Sequence, residues 1–213
     1  MNLNSSPVAL IGDVVQSRSR PDRQSLHDEL SRALTEANAR VASEDPLVIT
    51  VGDEFQGVYA TLGGALRASV VVRVALQPRT DVRFGLGRGS VTTLDAERGI
   101  HDGPAYWAAR DAITTAEERA RKAQTRTSRT AYVGVDEEAD TAAAVQSALD
   151  CLDFMVGSMS TTSRAILGGL MAGATQQELA DGLGVSASAV SQRVRRDGIG
   201  VALESLQRLW SLP

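Results

Sequence analysis

Residues 47–59 read LVITVGDEFQGVY: an apolar run rich in β-branched residues, a Gly-Asp-Glu tip, then a second half-apolar run. This is the pattern of a β-hairpin. It constrains the fold more than any other stretch, because Val48, Ile49, Thr50 and Val51 lead straight into Gly52 and hold the carboxylates of Asp53 and Glu54 on a stiff element. Gly52 permits a tight turn and lets a bulky anion approach the main chain. The expectation is a tip that binds a metal-nucleotide complex, with the rest of the chain completing that site or reading its state.

The segments around the hairpin arrange themselves accordingly. Residues 8–15 (VALIGDVV) are a short apolar run broken by Gly12 and Asp13, as in a central strand that ends at a functional edge. Residues 22–42 place Leu26, Leu30, Ala33, Leu34, Ala37 and Val41 at helical spacing, with Pro21 and Asp22 as start signals. A second helix runs from Leu62 to Leu76, capped by Thr61 and ended by Pro78. Residues 81–94 read as one strand with Val82, Phe84 and Leu86 on one side and Arg83, Gly85 and Gly87 on the other, so that either a ligand or a closely packed helix approaches its bare face. A turn-rich loop over 101–104, a helix over 105–122 with Glu117, Glu118, Arg119 and Arg121 toward solvent, and a strand over 130–135 follow. The order β-α-β-β-α-β-α-β is that of a ferredoxin-like sheet with additions. Right-handed crossovers then make the first strand and the strand entering the hairpin run parallel. Asp13 and Asp53 meet at one edge, a carboxylate pair suited to Mg²⁺ or Mn²⁺ that also takes phosphate oxygens.

Beyond the acidic linker 136–140 (DEEAD) the sequence turns helical, so the fold class is α+β over residues 1–135 followed by an all-α domain over 141–213. Within it, residues 175–196 (TQQELADGLGVSASAVSQRVRR) have helix-turn-helix spacing. Leu179 and Ala180 pack inside, Gly184 makes the turn, and Val185, Val190 and Val194 hold the second helix. That helix presents Ser188, Ser191, Gln192, Arg193, Arg195 and Arg196 to DNA. The alternatives are an ordinary helical bundle, a dimerisation unit, or a degenerate helix-turn-helix used only for protein contact.

Composition narrows the classes. A net charge of −4 gives the whole molecule no field favouring nucleic acid, so DNA contact rests on the local basic helix. Cys151 is the sole cysteine and His27 and His101 are the only histidines, which excludes an internal disulfide and disfavours thiolate or imidazole metal sites. The most apolar helical stretch, 65–76, is interrupted by Arg67 and Arg73 and is too short for a bilayer. A soluble cytoplasmic protein with no membrane partner is expected. Trp107 is assigned to the core, and His101 and Asp102 to a loop.

Four segments together resemble the SatD family over essentially the whole chain: IGDVVQSR at 11–18, GDEFQG at 52–57, RFGLGRG at 83–89 and GPAYW at 103–107. At greater distance, residues 1–135 resemble the palm-type domain of class III nucleotide cyclases and GGDEF diguanylate cyclases. That resemblance implies metal binding by Asp13 and Asp53, with Glu54 matching the second acid of the GGDEF tip and assisting the metal or a proton transfer. Ala108, Ala109 and Arg110 resemble the end of the cyclase N-x-A-A-R helix, which implies that Arg110 neutralises charge on a phosphate. Gly12 and Gly52 would admit that phosphate, and Ser17 and Arg18 would touch it. The resemblance also implies a homodimer. Two departures count against turnover: Val51 replaces the first glycine of GGDEF, and Tyr106 stands where the cyclase asparagine would be.

Two functions fit these residues. In one, the palm binds a nucleoside triphosphate or derived nucleotide and catalyses nucleotidyl transfer or cyclisation, with the helical domain as an accessory. In the other, the chain is a DNA-binding regulator whose palm is an inactive sensor. The motifs favour metal-dependent nucleotide binding coupled to regulation and leave catalysis open.

Overall fold

The computed structural model describes residues 6–17, 22–95 and 100–213. Strand β1 (Val8–Val14) leads to helix α1 (Arg23–Arg40), then to the hairpin β2 (Asp45–Ile49) and β3 (Phe55–Tyr59), helix α2 (Leu62–Leu76) and strand β4 (Val82–Arg88). A small hairpin, β5 (Thr92–Asp95) and β6 (Ile100–Asp102), precedes helix α3 (Pro104–Ala120) and strand β7 (Thr130–Gly134). Helices α4 (Ala139–Ser158), α5 (Thr161–Met171), α6 (Gln176–Leu183), α7 (Ala187–Arg196) and α8 (Ile199–Leu209) complete an α+β chain. No helix among the described residues is long and apolar enough to cross a membrane.

Among the described residues the main sheet has five strands in the order β2-β3-β1-β4-β7. β1 pairs antiparallel with both β3 and β4, β3 antiparallel with β2, and β4 parallel with β7. β1 and β2 therefore point the same way with β3 between them, and their C-terminal ends share an edge. The expected single strand over 81–94 divides at residues 89–91, and its second half pairs with β6 in a separate two-stranded sheet. His101 and Asp102, expected in a loop, are strand residues there: the His101 ring lies 3.0 Å from Asp45 Oδ2, which ties the small hairpin to the main sheet.

The period-2 alternation of the strands sorts the core into two layers. Val8, Leu10, Phe55, Tyr59, Phe84 and Leu86 pack with α1 and α2 on one face. Ala9, Ile11 and Val58 pack on the other with Ala105, Tyr106, Ala109 and Ile113 of α3. That second layer is thin. A Cβ built at Gly85 would overlap the backbone of Ala109 and Ile113, and one at Gly87 the backbone of Ala105 and Ala109. The bare face of β4 is thus covered by a helix, which is the second of the two alternatives its sequence left open. Tyr106 takes the core position, and its burial pushes the phenol up to about 12. Trp107, expected in the core, is 60% exposed and donates its indole N–H to Asp102 Oδ1 at 2.8 Å.

Helix α4 joins the helical region to the sheet. Val145 and Leu149 extend the first core, whereas Leu152 and Val156 pack with Ile166, Leu167, Val190 and Leu206 of the helices that follow. Between these groups, the buried Asp153 pairs with Arg73 of α2 at 2.5 Å and accepts the N–H groups of Arg129 and Thr130 at 2.7 Å each, which fixes the start of β7. Burial pushes the Asp153 carboxyl up, against the opposing pull of Arg73 and the two N–H donors. The chain end packs back on the first half: the N–H groups of Leu62 and Gly63, unpaired donors of the first turn of α2, donate to Pro213 and Leu212 oxygens at 3.2 and 3.1 Å. Arg67 stacks over Trp210 at 5.3 Å. The expected linker over 136–140 is short and held, since Glu137 pairs with the buried Arg88 and α4 begins at Ala139.

Because α3 lies against bare backbone at Gly87, Gly87→Val should cost at least about 2–3 kcal/mol in urea unfolding. Gly182→Ala, in α6 with nothing within 4 Å of its Cβ direction, should instead raise stability by roughly 0.5–1 kcal/mol.

Candidate functional site

The hairpin tip is a four-residue turn. Glu54 N–H donates to Val51 O at 3.0 Å and Thr50 N–H to Glu54 O at 2.9 Å, with Gly52 at φ +66°. That left-handed conformation suits glycine and places the two acids on the far side of the turn. Asp53 lies against the end of β1, where its Oδ2 accepts Val14 N–H at 3.3 Å. Asp13 is one residue back on that strand, so the shared edge brings Asp13, Asp53 and Glu54 into one cleft of about 490 Å³, which Ser17, Arg83 and Glu117 also line.

The acids in this cleft are matched by arginines. Arg83, opposite Asp13 in the antiparallel register, binds it through both oxygens, Nε to Oδ1 at 2.9 Å and Nη2 to Oδ2 at 2.7 Å. The Asp13 hydrogen bond holds the Arg83 guanidinium above its ordinary value. Its remaining nitrogen lies 3.3 Å from Glu117 on α3. Burial works to raise the Glu117 carboxyl, but Arg83 and Arg121 together hold it below the usual range. One face of α3 also carries Arg110, which grips Glu54 with both terminal nitrogens, Nη2 to Oε1 at 2.7 Å. Glu54 correspondingly raises the Arg110 guanidinium. Arg23 approaches from below, its Nη1 donating to Ser17 O at 3.2 Å.

Of the residues expected at this site, Asp13, Asp53, Glu54 and Ser17 line the cleft and Arg110 joins it through Glu54, whereas Gly52 faces a separate cavity of about 250 Å³ with Arg23 and His27. Gly12 has a packing role: the space where its side chain would be is filled by the Phe55 ring. Arg18 lies outside the described residues. Arg83 and Glu117 were missed. Both had a signal: Arg83 shares the β4 face with Gly85 and Gly87, and Glu117 stands two helical turns from Arg110. Among the described residues no three His, Cys, Asp or Glu side chains group as a metal site.

The residues expected to face DNA lie apart from this cleft. Helix α6 begins with a capping box, Thr175 and Glu178, which holds the Glu178 carboxyl below its ordinary range, and ends at Gly184 with φ +65°. Ser186 caps α7. Val190 is fully buried, whereas Val185, expected to hold this helix, is 41% exposed. Ser188, Gln192, Arg195 and Arg196 are exposed on α7, and Ser191 and Arg193 are half-buried. Asp197 gathers the end of the helix: it receives Arg196 at 2.8 Å and Ser163 at 2.5 Å, with Arg193 at 3.8 Å. The hydrogen bonds from Arg196 and Ser163 hold its carboxyl below the ordinary range.

The SatD family model matches residues 7–211, and the chain belongs to the SatD family. No curated protein matches the chain significantly.

The two acids of the edge differ in what holds them. Asp13→Asn breaks a half-buried bidentate pair and should cost roughly 1.5–3 kcal/mol. Asp53→Asn loses one long hydrogen bond among the described residues and should cost less than about 1 kcal/mol in the same urea titration.

Proposed function

We propose that the carboxylate cleft binds a nucleoside triphosphate together with a divalent cation, and that the α+β part is a ferredoxin-like, palm-type nucleotide domain. The observation that carries this reading is the convergence of Asp13, Asp53 and Glu54 at one sheet edge, each acid oxygen set facing a guanidinium or a backbone N–H. The strand order, read from the far side as β4-β1-β3-β2, supports the ferredoxin-like assignment.

Two carboxylates without a third ligand do not make a protein cage. They fit a Mg²⁺ or Mn²⁺ that completes its shell with phosphate oxygens and water. Asp13 and Asp53 would hold the ion, which when bound neutralises phosphate charge. In the free protein Arg83 and Arg110 balance the acids. When the phosphates arrive, Arg83 and Arg110 have a second, doubly acceptable partner in the phosphate oxygens. The cleft is therefore an exchange site in which guanidinium–carboxylate pairs give way to cation–carboxylate and guanidinium–phosphate pairs. Tyr106, buried in the core beneath α3, supplies no polar group to the cleft, which favours binding over turnover.

A second reading is favoured by α7, whose exposed Ser188, Gln192, Arg195 and Arg196 follow helical spacing on a capped helix after a glycine turn. In it the α6–α7 unit is a helix-turn-helix that contacts DNA and the cleft acts as its nucleotide sensor. The two readings share the cleft and differ in output. A homodimer and a cytoplasmic location accompany both.

Incubating the purified protein with each NTP and Mg²⁺ or Mn²⁺, then resolving products by chromatography, separates the outputs. Binding that Asp53→Ala abolishes, without product, is the expected result; a cyclic or linked product lost in Asp53→Ala would establish nucleotidyl transfer. For the helix, Arg195→Ala with Arg196→Ala should weaken DNA binding and lower the salt slope by roughly 1–2. An unchanged slope contradicts the helix-turn-helix assignment.

A further inference from the structure

A second cavity, of about 590 Å³, lies where the end of α2, the segment leading into β7 and the start of α5 meet α4; its lining residue Asp81 accepts Val15 N–H at 2.9 Å, which sets it beside the cleft along the same sheet edge. Its charge is opposite to that of the cleft. Arg73, Arg126, Arg129 and Arg164 line it, against a single lining acid, Asp81. Arg129 is paired with Asp81 at 2.6 Å and Arg73 with Asp153 at 2.5 Å. Arg126 and Arg164 have no carboxylate partner among the described residues, so two positive charges remain uncompensated.

The wall also keeps polar atoms unspent. Arg73, 6% exposed, has a buried Nε without a hydrogen-bond partner, and Arg164 Nε and Gln77 Oε1 are likewise buried and unpartnered among the described residues. Buried polar groups are normally satisfied, so three such atoms in residues of one wall leave that wall with unmet polar capacity. On the same wall Phe154 is 62% exposed, an aromatic face beside the guanidinium groups.

We infer that this cavity is a binding site for a nucleoside monophosphate, with Arg126 and Arg164 on the phosphate and Phe154 against the base. The volume lies within the roughly 300–1,000 Å³ of small-molecule sites, and planar guanidinium forks suit phosphate oxygens. The site shares no lining residue with the carboxylate cleft and needs no divalent cation, since its wall supplies the positive charge. An occupant touches Arg73 of α2 and Arg164 of α5 at once, so it stabilises the placement of the helical region on the sheet.

Calorimetric titration of the full chain with the four ribonucleoside 5′-monophosphates in EDTA tests the assignment. At least one should bind with a Kd below about 1 mM. Arg164→Ala and Arg126→Ala should each weaken it roughly tenfold or more. Phe154→Ala should weaken the nucleotide but leave inorganic pyrophosphate unchanged, and Asp53→Ala should leave both unchanged. Arg126 and Phe154 are exposed, and a thermal melt matching the wild type confirms that those variants fold. Absence of binding by all four nucleotides, binding that survives the Arg126→Ala/Arg164→Ala double variant, or binding lost in Asp53→Ala would overturn the inference.

Discussion

The site depends on how closely α3 lies on β4. Beyond Arg83, Gly85 and Gly87 leave that strand face without side chains, and the helix backbone occupies the space. Dispersion at such a contact is individually weak and collectively large, and any side chain there would push the helix outward. The consequence is functional, because α3 carries Arg110 and Glu117. A helix set further out would draw Arg110 away from Glu54 and Glu117 away from Arg83. The smooth strand is thus the reason that residues far apart in sequence complete a cleft around the hairpin tip.

Within that cleft the charges are balanced in pairs: Arg83 on Asp13, Arg110 on Glu54, and Val14 N–H on Asp53. Half-buried carboxylates without such partners would be costly. Pairing them with arginine supplies charge-assisted hydrogen bonds that offset that cost. Asp53 is the least committed of the acids, held by one backbone N–H at 3.3 Å among the described residues. The other arginine-rich wall, around Arg126 and Arg164, has a single lining acid, Asp81, among the described residues, so the two cavities differ in charge.

Much of this was legible in the sequence because it rests on periodicity and direction. The hairpin, α2 and the parallel course of β1 and β2 follow from β-branched runs, capping residues and crossover handedness, and they bring Asp13 and Asp53 together without further information. What failed depends on three-dimensional packing. Residues 81–94 alternate as one strand would, but the chain turns at 89–91 to form a second small sheet with β6. Gly12 looked like an opening for phosphate, and only the structure reveals the Phe55 ring beneath it. Tyr106 and Trp107 are adjacent aromatics of similar character, and which one points inward is set by the rotation of α3 on the sheet. Arg83 was overlooked because its partner lies across a strand pair whose register the sequence does not print.

The central claim is that the Asp13–Asp53 edge takes a cation tightly only in company with phosphate. Titrating Mn²⁺ into the protein by electron paramagnetic resonance, with and without a non-hydrolysable NTP analogue, measures this directly. The account predicts weak Mn²⁺ binding alone, at least tenfold tighter binding with the analogue, and loss of that gain in Asp53→Ala. Mn²⁺ affinity indifferent to the analogue, or a gain that survives Asp53→Ala, would contradict it.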